Sequence, residues 1–402
     1  MKISDNANRC TLSPMRKFHP LAVKAKGEGK YIYHLNIGQP DLATPQAFFN
    51  AIHSFDQPTL AYDASPGMPV LIESIRNYYG KLGVALESDD IFITTGGSEA
   101  LLYTCLCVLD SQSEVIVPEP FYPNYSTFIN AAGGVICPLP TTPEEGYRYA
   151  DRARIEKLIK KNTRAILITN PGNPTGVVLD DSEMRMIADV AKENGLFVIS
   201  DEVYREFCYD DSGEIPCMGR LADIEDNLVI IDSVSKRFSS CGARIGCVIT
   251  KNRELQKALL KFCQSRLSVA TLDQLGAAAL YGVDDSYIKH SIAEYRERRD
   301  VTVDGLRKIP GVLVEVPMGA FYVMAKLPVD DTDAFQQWLL NEFSDNGETV
   351  MYAPGAPFYG TPDRGKDEIR IAYVLEKKDM IRAIELLGLG IARYRKEVMG
   401  LA

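Results

Sequence analysis

Histidine is scarce in this chain, and its scarcity narrows the chemistry before any motif is read. His19, His34, His53 and His290 are the only four among 402 residues and lie far apart. A metal site or a serine–histidine relay has little to build on. No apolar run approaches the length of a membrane span, and Met1-Lys2-Ile3-Ser4-Asp5 does not read as a secretory signal. Positive charge is in deficit: 44 Lys and Arg face 54 Asp and Glu, giving a net charge of −10 and a pI near 5.1. That balance argues against nucleic acid or an anionic membrane surface as partner. The nine cysteines are odd in number and contain no CxxC pair, a pattern suited to a reducing cytoplasm. Internal repeats, low-complexity segments and long Pro/Gly/Ser linkers are also missing.

The chain has enough apolar content, 46% of its residues, to bury one large core and a smaller one. Apolar runs at 91–94, 115–117, 165–169, 196–200, 228–232 and 246–250 read as strands, and helical patterns alternate with them. This is the signature of an α/β fold with a largely parallel sheet covered on both faces. The expected division is an N-terminal segment 1–47, a large domain 48–287 and a smaller α+β domain 288–402, with the N-terminal segment packing on the latter.

Four segments place reactive groups where such sheets keep their chemistry, at the carboxyl ends of strands. The first is Ser233-Val234-Ser235-Lys236-Arg237, with Arg244 eight positions after Lys236. A lysine amine becomes a useful nucleophile when neighbouring positive charge or burial lowers its pKa, and Arg237 and Arg244 are the neighbours available. The second is Phe197-Val198-Ile199-Ser200-Asp201-Glu202-Val203-Tyr204, an apolar strand ending in a carboxylate. Asp201 there suits either holding a proton on a ring nitrogen or capping a helix. The third runs from Ala165 to Asn170-Pro171-Gly172-Asn173-Pro174-Thr175-Gly176, a strand entering a loop stiff enough to aim Asn173. The fourth, Ile91 through Thr95-Gly96-Gly97-Ser98-Glu99, is strand, glycines, then helix. Free amides at such a helix start make a phosphate cradle at Gly97 and Ser98.

With Asn-Pro-Thr-Gly lying 28 residues ahead of Asp201 and all four segments in order, the chain from about Asn36 onward resembles the class I/II aminotransferases. These are fold-type I pyridoxal-phosphate enzymes, and the similarity is greatest to the aspartate aminotransferase-like subgroup. The resemblance implies a fold-type I architecture, with a mainly parallel seven-stranded sheet in the large domain. It implies that Lys236 joins the cofactor covalently, that Asp201 pairs with the pyridine nitrogen, and that Asn173 and Tyr204 hold the phenolate oxygen. Gly97, Ser98, Ser233 and Arg244 would hold phosphate.

Further matches extend the site. Tyr122, in Pro118-Glu119-Pro120-Phe121-Tyr122-Pro123, falls where the family stacks an aromatic ring on the cofactor, with Phe121 as a rival one position away. Tyr62 matches a tyrosine that reaches the phosphate of a neighbouring subunit, so a homodimer with shared active sites is implied. Arg370, in Glu368-Ile369-Arg370-Ile371, matches the arginine that grips a substrate α-carboxylate, and Gly38 matches a residue whose backbone touches the same group. Gly319-Ala320-Phe321-Tyr322 and Ala353-Pro354-Gly355 resemble small-domain motifs of the family.

The implied activity is transamination between an amino acid and a 2-oxo acid by ping-pong kinetics, with aspartate and 2-oxoglutarate as leading substrates. A lyase acting on β- or γ-substituted amino acids on the same scaffold is the alternative. A ligand sensor is a further one, but it would need a DNA-binding domain for which the stretch ahead of the match leaves little room. A dicarboxylate substrate calls for a second cation. Only Lys261 and Arg266 suggest themselves, and surface charge is the plainer role for each.

Overall fold

The computed structural model describes residues 1–210 and 215–401. Its central sheet has seven strands in the spatial order Ile91–Thr95, Ile245–Ile249, Leu228–Ser233, Phe197–Asp201, Thr163–Thr169, Glu114–Glu119, Val135–Pro140. Neighbours pair in parallel except at Ile245–Ile249, which runs antiparallel to both strands beside it. The six expected runs are all strands. The seventh, Val135–Pro140, escaped the sequence reading because Pro138 and Pro140 break the β pattern; it lies at the sheet edge, where missing N–H donors are tolerated.

The strands are apolar throughout because both faces are covered. Ile91, Ile93, Ile166, Ile168, Val198 and Ile230 join one buried cluster, with Leu71 and Ile75 from the helix Pro69–Lys81 and Ile187 from Asp181–Glu193. The alternate residues Phe92, Leu167, Ile199, Val229 and Ile231 face the other way. They meet Leu101 of the helix Gly96–Val108, Ile129 of Asn124–Ala131 and Leu259 of Arg253–Arg266. The helix Asp181–Glu193 has a local start signal, the Asp180 side chain and Glu183 capping each other's backbone.

A second apolar cluster surrounds an antiparallel sheet in the order Ala353–Pro354, Glu368–Ala372, Tyr322–Lys326, Leu313–Val314. A separate parallel pair joins Tyr31–His34 to Glu348–Met351. Arg370 sits mid-strand opposite Met324 and Ala353 and is only 3% exposed. An alternating strand would put such a residue on an outward face; here both faces are covered.

Beneath the carboxyl edge of the large sheet lies a buried ion cluster. Asp232 accepts from Arg237 through both its oxygens at 2.9 Å and from Arg205 at 2.7 Å. Arg205 also donates to Glu202 at 2.6 Å, and Arg237 Nε lies 2.7 Å from Glu206. Tyr79 donates to Asp232 at 3.0 Å and Tyr78 to Glu206. Arg205, Arg237, Asp232, Glu202 and Glu206 are all buried. The arginines hold the Asp232 carboxyl below its ordinary pKa against the opposing effect of burial, the larger single influence.

Removing one arginine would strand carboxylates away from water. Arg205→Met is therefore expected to cost roughly 3–5 kcal/mol, the scale for breaking a buried ion pair from one side. The reading is a lowered urea midpoint with unchanged slope; a midpoint equal to the parent's would show that the cluster contributes no net stability.

Candidate active site

Because Ile245–Ile249 alone runs against its neighbours, its amino end arrives at the edge where the other six strands finish. Arg244, just ahead of it, is thereby set beside Thr95, the last residue of the paired strand. A cavity of about 420 Å³ opens at this edge, between the large sheet and the small antiparallel one. Gly38, Gly97, Ser98, Tyr122, Asn173, Asp201, Tyr204, Ser233, Lys236, Arg244 and Arg370 all line it. Tyr62 does not, and stands 80% exposed. Phe121 turns into the sheet's buried cluster, so the wall position belongs to Tyr122.

Lys236 rides on the one-turn helix Val234–Arg237, which Ser233 begins by accepting from the Ser235 N–H at 3.1 Å. Its Nζ donates to the Gly38 carbonyl at 3.0 Å and lies 3.6 Å from Cys241 Sγ. Arg237 does not stand beside this amine as its sequence position suggested. It turns down into the ion cluster, where Asp232 and Glu206 neutralise its charge. Successive residues of a helix point about 100° apart, so an inward Arg237 leaves Lys236 facing the cavity.

Asp201 closes its strand as a fully buried carboxylate. It accepts from Tyr125 Oη at 2.6 Å and from the Val203 N–H at 3.4 Å. No cation pairs with it among the described residues. Burial pushes its pKa up to about 6, with the Tyr125 hydrogen bond opposing. Tyr125, in the first turn of Asn124–Ala131, is not marked by any local pattern in the sequence; the fold brings it to Asp201.

Asn173 Nδ2 lies 3.4 Å from Tyr204 Oη, and its carbonyl oxygen accepts from Arg370 at 3.2 Å. Tyr204 Oη is 3.0 Å from Tyr322 Oη, which in turn reaches the Gly38 carbonyl at 3.4 Å. A Cβ at Gly38 would come within 1.8 Å of Tyr322 Oη, so only glycine allows this approach. Arg370 donates to the Asn36 carbonyl at 2.7 Å and lies over the Tyr322 ring at 4.5 Å. Among the described residues no carboxylate meets it, and burial pulls its pKa below the ordinary guanidinium value. Tyr322 joins the site through tertiary approach alone.

The helix Gly96–Val108 starts at the cavity, and its N-cap Thr95 supplies no side-chain cap. Gly96, at φ +73°, leaves room for Arg244: a Cβ there would fall 2.5 Å from Arg244 Nη2. Arg244 is itself left-handed, at φ +55°. Ser233 Oγ lies 2.8 Å from Ser235 Oγ, and both serines line the cavity. Arg266 is neither surface charge nor part of this wall. It pairs with Glu99 at 3.1 Å and donates to the Ser65 carbonyl at 2.8 Å. Lys261 is exposed on its helix, away from the cavity.

Pyridoxal phosphate fits this donor set. An uncapped helix start beside Arg244 suits a phosphate, and a buried carboxylate without a cation suits a protonated ring nitrogen. The buried, uncompensated Arg370 suits the carboxylate of a second ligand.

Comparison with known proteins agrees with this geometry. The profile of the family described as aminotransferase class I and II matches residues 31–387. An aspartate aminotransferase of Musicola paradisiaca is 30% identical over 98% of this chain and 97% of its own. The Thermus thermophilus aspartate aminotransferase with maleate superposes with a TM-score of 0.88 at 26% identity, covering 97% of this chain and 100% of its own. An alanine aminotransferase from Pyrococcus furiosus superposes at 0.89 with 27% identity, over 98% and 100%.

The raised pKa of Asp201 carries a stability consequence for cofactor-free protein. Its folded value of about 6 exceeds the ordinary aspartate value of 3.8, so folding is penalised once the carboxylate ionises. The penalty is small below pH 3.8, grows between 3.8 and 6, and above that amounts to roughly 3 kcal/mol. Asp201→Asn should raise the thermal midpoint of cofactor-free protein at pH 8 and by much less near pH 4. An equal gain at both pH values would show that Asp201 ionises without strain.

Proposed function

We infer that this chain, which belongs to the class I and II aminotransferases and is a pyridoxal-phosphate-dependent transaminase, moves the amino group of L-aspartate to 2-oxoglutarate. The observation that carries the assignment of its parts is the convergence of Lys236, Asp201 and Arg370 on one cavity. Aspartate is favoured by the names of relatives such as the Musicola paradisiaca enzyme.

In this reading Gly97, Ser98, Ser233 and Arg244 hold the phosphate, and Lys236 carries the cofactor covalently. Asn173 and Tyr204 donate to its phenolate oxygen, and Tyr122 covers its ring and excludes water. When bound, pyridoxal phosphate supplies a conjugated electron sink next to the substrate's α-carbon. Asp201 keeps a proton at the ring nitrogen, the protonation its burial without a cation favours. Arg370 clamps the α-carboxylate with its planar fork while Asn173 braces the guanidinium. That grip would fix the Cα–H bond toward Lys236, whose Nζ, set free once the substrate's own amine has displaced it from the cofactor, would take the proton and hold it for delivery. Gly38 presents its carbonyl to that amine and limits where it can swing.

The same reading makes the protein a homodimer. Tyr62 and Leu60 are large apolar side chains left in solvent at 80% and 58% exposure, in keeping with Tyr62 reaching the phosphate of a partner subunit. The small C-terminal unit, 288–402 with residues 17–36, would close on the large one when Arg370 takes a carboxylate; the preceding helix Asp5–Arg9 packs instead on Asn124–Ala131 of the large unit. All nine cysteines are free, which suits a cytoplasmic setting.

Lys236→Ala should lose turnover by roughly a thousandfold or more, the scale for removing a positioned proton carrier and nucleophile, while still retaining cofactor after dialysis. The parent, given aspartate alone, should release one equivalent of oxo acid per site and stop. Ordinary turnover in the variant would remove Lys236 from its role, and continued release of ammonia by the parent would replace transamination by elimination.

A further inference from the structure

Four cationic side chains line the cavity: Lys236, Arg244, Arg370 and Arg16. The first three already have assignments. Arg16 has none, and its side chain makes no ion pair or hydrogen bond among the described residues. Lys261 and Arg266, the cations that sequence offered for a second carboxylate, stand outside the cavity wall.

Arg16 is placed by a strap that crosses the mouth of the cavity. Upstream, the helix Asp5–Arg9 lies against Asn124–Ala131 of the large unit. Asn6 donates to the Ala131 carbonyl at 3.4 Å, and Asn130 donates back to Arg9 at 3.1 Å. Downstream, Lys17 pairs with Asp333 at 2.7 Å, and Phe18 is buried with Ala22, Ile32 and Leu340 on the small unit. Between these anchors the turn Pro14–Arg16 passes over Arg370. The Met15 carbonyl accepts from Asn36 at 3.3 Å, and its sulfur lies 3.5 Å from Arg370 Nη2. Met15 therefore sits on the guanidinium proposed to take the α-carboxylate, and Arg16 is the next residue along the wall. A substrate held at Arg370 therefore shares its cavity with Arg16.

We propose that Arg16 is a specificity-determining residue that binds the distal carboxylate of dicarboxylate substrates; this rests on the reading that aspartate and 2-oxoglutarate are the substrates. The cation is then supplied by the chain's own strap, and the strap is tied down from three sides when a dicarboxylate fills the site. Its neighbour Lys17 pairs with Asp333 and does not line the cavity.

The test compares the parent holoenzyme with Arg16→Gln and Arg16→Lys, using L-aspartate and L-alanine as donors and calorimetric titration with maleate, an unreactive dicarboxylate. Loss of one charge-assisted contact predicts that Arg16→Gln loses about a hundredfold in kcat/KM for aspartate and in maleate affinity. Alanine should change little, since it has no distal carboxylate, and Arg16→Lys should recover part of the loss. Equal losses for both donors would reduce Arg16 to a structural part of the strap, and unchanged maleate binding would overturn the proposal outright. If the parent itself neither accepts aspartate nor binds maleate, the substrate reading falls and the proposal with it. A parent that uses aspartate while Arg16→Gln is unaffected overturns only the role of Arg16.

Discussion

The carboxylate of Asp232, shared between two buried arginines, is the point on which the reactive edge depends. Arg205 follows Tyr204 in the chain and Arg237 follows Lys236, and both arginines are drawn down to the same carboxylate. Each pull sets the direction of its neighbour. With Arg237 inward, Lys236 is left facing the cavity; with Arg205 inward, Tyr204 is left beside Asn173. Taking five charges out of water is costly unless every one is paired. The mutual pairing that meets this cost also fixes two loops relative to the sheet.

One reversed strand supplies the second constraint. An all-parallel sheet would leave the amino end of Ile245–Ile249 on the far side of the molecule. Reversal delivers Arg244 to the helix start at Gly96, and the fit is close on every side. At Gly246 a Cβ would fall 2.5 Å from the Gly96 backbone and 2.6 Å from the Gly97 nitrogen. Main chain thus packs directly on main chain where the anion site is built, leaving its donors little freedom to shift.

What the sequence disclosed and what it hid divide along one physical line. Asn173, Asp201, Lys236 and Gly97 were legible because each lies at or within four residues of a strand's end, in a turn or helix start whose shape is local. Tyr322, Gly96 and Tyr125 were not, because their places follow from approaches between segments far apart in the chain. Arg237 shows the limit of adjacency: proximity to Lys236 in sequence does not give direction, and a buried carboxylate decided it. Arg266 was misjudged likewise, since its partners Glu99 and Ser65 arrive from elsewhere in the chain. The edge strand Val135–Pro140 was missed because its prolines violate a pattern that holds only inside a sheet. Arg16 lies ahead of the motifs that carry the family resemblance, and only the course of the N-terminal strap brings it to the cavity.

The reversed strand also orders events in time. Its pairing of Ile245 with Thr95 closes a span of 150 residues, and strands so distant in sequence must wait for long loops to close. The Gly96–Ser98 helix start and the Lys236 turn can each take local form earlier, but neither faces Arg244 until that strand has entered the sheet. Capture of an anion at this edge therefore reports on the completed sheet. During synthesis, a chain still short of residue 249 has no pocket with which to begin.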